Sequence, residues 1–81
     1  MQKYDIKLTL AENVKVFVNL LSKYDFGMDL RAGRHVVDAK SILGIFSLDL
    51  SKPISLEIDD EGVAEEKIAA LLKDIEPFLA R

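Results

Sequence analysis

Ser41 is the residue of this chain best placed to do chemistry. The run Asp38-Ala39-Lys40-Ser41-Ile42-Leu43-Gly44-Ile45-Phe46-Ser47-Leu48 sets its hydroxyl at the head of a short, mostly apolar helix. The plain role of such a serine is an N-cap, its oxygen accepting a free amide hydrogen of the first turn. A phosphate on the same oxygen would lie against free amides and the positive end of the helix, so it need not unfold the segment. Lys40 adds a neighbouring cation, and Ser47, inside the run, reads as a small helical position. Ile42, Leu43, Ile45, Phe46 and Leu48 are more apolar residues than one short helix can hide on one side. Either this excess makes a docking surface, or Ile45 and Leu48 enter the core while the others cover a sheet edge.

The remaining reactive side chains are sparse. His35 is the only histidine and stands beside Arg34, just after a tight turn. Phosphohistidine chemistry needs an imidazole among donors, as at a helix N-terminus, so His35 reads as a solvated strand residue. Asp59-Asp60-Glu61 is an acidic turn with too few oxygen ligands at set spacing for a cation loop. Glu65, Glu66, Asp74 and Glu76 fall mostly on the polar face of the last helix, where paired catalytic carboxylates would lack a pocket. No glycine pattern cradles a phosphate, and neither a metal nor a cofactor is implied, so no enzyme activity is expected. The absence of cysteine excludes disulfides and thiolate catalysis and fits a reducing cytoplasm. Net charge is −3, and the one basic cluster is Arg31, Arg34 and His35, which argues against nucleic acid. Neither a signal peptide nor an apolar run of about 20 residues occurs, so a soluble cytoplasmic protein without membrane contact is expected.

The elements that position Ser41 follow from periodicity. Tyr4, Ile6 and Leu8 alternate with Asp5 and Lys7, a half-buried strand over residues 4–8. Thr9 and Glu12 have capping-box spacing, predicting a helix from Leu10 with an inward stripe of Leu10, Val14, Phe17, Leu21 and Tyr24. Val18 widens that stripe, while Val16 and Leu20 fall outside it. Phe26, Met28 and Leu30 alternate with Asp29 and Arg31, Ala32-Gly33-Arg34 turns the chain, and residues 35–38 return as a hairpin strand. After the Ser41 helix, which ends around Leu48, Pro53 precedes a fourth strand, residues 54–58, and Asp59 to Gly62 make a turn. A last helix from about Val63 faces Ala64, Ile68, Leu71, Leu72, Ile75 and Leu79 inward, and Pro77 loosens its final turn. The order is βαββαβα in a single domain, residues 1–81, an α+β open-faced sandwich. Periodicity alone does not order the strands.

This order, together with the segment Asp38 to Leu48, resembles the HPr family, the small phosphocarriers of the bacterial sugar phosphotransferase system. The resemblance covers most of the chain and runs without a gap from Phe17 to Ser41. It implies an antiparallel four-stranded sheet ordered 1-4-2-3 with three helices on one face. It also implies that Ser41 is a regulatory phosphorylation site and that Ile42, Leu43 and Phe46, with Lys40 beside them, belong to a partner-facing patch. The family's active-site loop reads roughly Asn-Gly-Leu-His-Thr-Arg-Pro-Ala, whereas this chain passes from Leu8 into Thr9-Leu10-Ala11-Glu12-Asn13. Along the gap-free register the histidine falls on Leu10 and the arginine on Glu12. Leucine offers no nucleophile, and a carboxylate repels phosphate.

The expectation is therefore a regulatory or interaction protein related to that system, with no histidine relay and Ser41 as a switch. The alternatives are a phosphocarrier using another acceptor, or a domain reusing the fold for its own role. The very short link between the first strand and first helix further suggests a homodimer formed by exchanging the first strand.

Overall fold

A computed structural model describes residues 1–80. The elements run β1 (Gln2–Ile6), α1 (Ala11–Leu21), β2 (Met28–Ala32), β3 (His35–Asp38), α2 (Ile42–Phe46), β4 (Ile54–Ile58) and α3 (Glu65–Asp74), then a 3-10 turn at Glu76–Phe78. The sheet is antiparallel with order β1-β4-β2-β3, the α+β arrangement that the resemblance implied.

Alternation decides which face is wet. Leu56 lies between Tyr4 and Leu30, and Leu30 pairs in turn with Val37, so one apolar row crosses all four strands. The helices cover this side: Val14, Phe17, Val18 and Leu21 of α1, Ile45 of α2, and Ile68 and Leu71 of α3 are buried in one cluster with Ile54, Leu56 and Ile58. The β2–β3 hairpin closes through Gly33, whose φ of 61° suits the first central position of a two-residue turn.

Several expectations are corrected at element ends. Leu10 does not join the inward stripe; it is the N-cap of α1, extended at φ −116°, ψ 144°, and 61% exposed. No side chain caps α1, because with Leu10 as N-cap the pair Thr9 and Glu12 sits one residue out of phase for a capping box. Strand β1 begins and ends two residues earlier than residues 4–8, although Leu8 is still fully buried. Helix α2 stops at Phe46, with Leu48 buried in the turn beyond it. Ala64 is the extended N-cap of α3, so it is exposed rather than inward. Pro77 sits in the 3-10 turn, and this turn delivers Phe78 to the core, edge-on to Phe17 at 5.5 Å.

The C-terminal segment then closes the outer edge of β1. Lys7 N–H donates to the Phe78 carbonyl at 2.8 Å, and Ala80 N–H donates to the Asp5 carbonyl at 2.9 Å, with Ile6 bridged to Leu79. Any exchange of β1 between copies through the 7–10 connection would have to break and remake these bonds as well as the ladder to β4.

The wet face of the sheet buries one charge. Glu57 is only 5% exposed, because Arg31 lies over it with Nε at 2.7 Å and Nη2 at 3.5 Å, and the Lys3 ammonium stands 3.9 Å away. The hydrogen bonds from Arg31 hold the Glu57 carboxyl below its ordinary value against the opposing effect of burial. Because the folded value lies below the unfolded one, the ionised form stabilises the fold above the ordinary carboxylate range. That contribution is lost as pH falls through the folded value. Asp49, bonded by Ser51, and Asp60, bonded by Gln2 and the terminal ammonium, are lowered in the same sense. Urea midpoints taken between about pH 7 and pH 3 are expected to fall with acid. Glu57→Gln should be less stable than the parent at neutral pH and show a shallower decline, the two curves converging at the acid end.

Candidate functional site

The site is assembled at the junction of β3 and α2. The Asp38 carboxylate accepts the Lys40 N–H at 2.8 Å and the Asp38 carbonyl accepts the Ser41 N–H at 3.0 Å, which turns the chain out of the sheet. Ser41 keeps extended angles, φ −100°, ψ 107°, while its carbonyl already accepts the Ile45 N–H at 3.0 Å. Its Oγ accepts the Gly44 N–H at 3.1 Å, so Ser41 is the N-cap that its position predicts. At the other end, the Ser47 hydroxyl donates to the Gly44 carbonyl at 2.5 Å.

Gly44 is required by space rather than by backbone angle. A Cβ there would stand 3.1 Å from Ser41 Oγ and 3.2 Å from Val37 Cβ. The absent side chain lets α2 settle on β3, and that contact aims Ile45 into the core. The same rotation leaves Leu43 84% exposed and Ile42 and Phe46 exposed beside it. Ile45 and Leu48 are therefore core, and the other three apolar residues form an outward patch around the capped serine.

Lys40 is turned to a different task from free charge. Its Nζ donates to the carbonyls of Tyr24 and, at 3.2 Å, Phe26, tying the β3–α2 junction to the loop after α1. That loop is anchored in turn to α3 through Tyr24, whose hydroxyl donates to Asp74 Oδ2 at 2.6 Å. Burial, reinforced by the Asp74 hydrogen bond and charge, pushes the Tyr24 phenol up to about 12, so it stays a donor. Sequence reading missed this strut because it joins residues distant in the chain and carries no local pattern.

The head of α1 is built differently. Leu10 projects an apolar side chain where a capping group would stand, and Glu12 is the acidic residue of the first turn. His35 is exposed on β3, where it pairs with Ala32 at the end of the hairpin. The structure thus brings Ser41, Ile42, Leu43 and Phe46 together on one short helix and leaves the imidazole in an edge strand.

The model of the PTS HPr component phosphorylation site matches residues 10–77. The chain belongs to the HPr family. HPr-C-His from Thermoanaerobacter tengcongensis is 32% identical, with 94% of this chain and 92% of that one covered at a TM-score of 0.70. A phosphocarrier protein HPr from Bacillus anthracis str. Ames is similar in fold at 24% identity, 90% and 94% coverage and a TM-score of 0.59. The open-faced HPr architecture is thus common to all three. No helix among the described residues is long and apolar enough to cross a membrane.

Two substitutions test how the site is held. Ser41→Ala, which strands the Gly44 N–H, is expected to cost ~1 kcal/mol in chemical denaturation. Gly44→Ala would gain ~1 kcal/mol in an open helix, but here the added methyl meets Val37 and the cap, so a lower melting temperature is expected.

Proposed function

We propose that this HPr-family chain is a regulatory or interaction protein of the phosphotransferase system that does not relay phosphoryl groups through histidine. It would work in the cytoplasm, docking a protein partner through Ile42, Leu43 and Phe46, with phosphorylation of Ser41 as the switch. Lys40 supports that surface by tying the β3–α2 junction to the loop after α1. The observation that carries the reading is the head of α1. It presents Leu10 and Glu12, while the single imidazole, His35, lies exposed in β3. A transferable phosphoryl group needs a nucleophilic nitrogen among donors, and a leucine side chain supplies neither part.

The position of Ser41 supports the switch. Its oxygen caps α2 in the parent state, and a phosphate in its place would meet the amides of the first turn while adding charge beside an apolar patch. Such a charge would change the recognition of Ile42, Leu43 and Phe46 without needing to unfold the segment.

The match to the family's phosphorylation-site model from residue 10 favours a second reading, a phosphocarrier with a different acceptor. Incubation with the general phosphotransfer enzyme and labelled phosphoenolpyruvate separates the two. The expected result is no acid-labile label on this chain under conditions that fully label an ordinary HPr. Stoichiometric acid-labile label would establish the carrier reading instead.

A further inference from the structure

The two edges of the sheet are treated differently. The outer edge of β1 is covered by residues 78–80, whereas β3 is paired on one side only. The phase of the β2–β3 ladder follows from its last bond, Ala39 N–H to the Met28 carbonyl at 3.0 Å. In that phase Val37 and His35 bond toward β2, so Val36 turns its N–H and carbonyl outward, as Asp38 does its N–H. The Val36 side chain is 43% exposed and lies across from Arg31 on the wet face. Arg34 is exposed, with no partner among the described residues, and the Asp38 carboxylate, also exposed, accepts the Lys40 N–H.

We propose that β3 pairs antiparallel with β3 of a second copy of this chain, joining two sheets across a two-fold axis at Val36. Charge complementarity selects this occupant and this register. With Val36 opposite Val36, the two carbonyls and amides at the axis satisfy one another, and each Asp38 N–H reaches the Arg34 carbonyl of the other copy. Arg34 then stands opposite Asp38 at both ends of the pairing, and the valines meet between them on one face. Sliding the strands by two positions one way sets Asp38 opposite Val36 and removes the charge pairing; a further slide sets Asp38 against Asp38. Sliding the other way puts Arg34 opposite Val36 and brings His35 against His35. The charges that usually protect a short edge strand from pairing therefore attract in one register only. So short an edge makes a weak, rapidly exchanging dimer rather than an obligate one.

Sedimentation equilibrium of the full chain from ~10 μM to ~1 mM tests this, together with concentration-dependent amide exchange. The expected result is reversible dimerisation that slows exchange of the Val36 amide and weakens with added salt. Arg34→Glu, which opposes like charges twice, and Val36→Lys, which opposes lysines at the axis, should each raise the dissociation constant about tenfold or more. Both positions are exposed, and an unchanged melting temperature at low concentration would show that each variant folds. A monomer throughout the range would overturn the proposal. So would a dimer indifferent to both substitutions, which exchange of β1 or contact through α2 would give. None of these outcomes depends on whether the chain carries phosphate.

Discussion

One sheet face has to take up the apolar stripes of every helix, and the remaining structure follows from that constraint. Strand β4 is central to it, since Ile54, Leu56 and Ile58 are buried while β1 and β2 bond to its two sides. Helices α1 and α3 are long enough to supply whole stripes. Helix α2 is not, and Gly44 lets it settle on β3 with Ile45 as its one buried residue. An apolar helix that can bury so little is bound to leave apolar area outside. Ile42, Leu43 and Phe46 are exposed as a geometric consequence of the short helix, and the same geometry puts the capped Ser41 at their margin.

How much of this was legible in the residues depends on how local the signal is. Strands β2 and β4 and the buried faces of α1 and α3 are written in periods of two and 3.6, and β3 follows from the Gly33 turn before it, signals that need only near neighbours. The Ser41 cap is equally local, because an N-cap binds an amide a turn away. The errors fall at element ends. Leu10 lies four residues before Val14, so helical arithmetic puts it on the inner face, but an N-cap has extended angles and its side chain leaves that face. Ala64 fails for the same reason. The Lys40 strut, the Arg31 cover over Glu57 and the return of residues 78–80 to β1 are tertiary pairings, and no period in the chain announces them.

These non-local contacts give the Ser41 surface its rigidity. The cap on α2 rests on a turn fixed by Asp38; Lys40 ties that turn to the loop after α1, and Tyr24 ties the loop to Asp74 at the end of α3. Three helices and an edge strand are thereby referred to one another through hydrogen bonds, and those donated by Lys40 Nζ and the Tyr24 hydroxyl are partly shielded from solvent. Preorganisation of this kind lowers the ordering cost that a docking surface incurs on binding.

The head of α1 shows that the fold does not rest on the chemistry of that loop. A helix start without a side-chain acceptor leaves its first amides uncapped by any side chain, the Asn13 N–H turning back to the Leu10 carbonyl at 3.0 Å, and Glu12 in the first turn offsets the dipole only in part. The helix nevertheless persists, because Val14, Phe17, Val18 and Leu21 are buried against the sheet and Phe78 locks Phe17 from the far end of the chain. Most helical stability in a protein comes from such packing rather than from caps. A chain can therefore carry Leu10 and Glu12 at this point at small thermodynamic cost. The scaffold persists on its core, and what it does is decided separately by the side chains at its exposed helix ends.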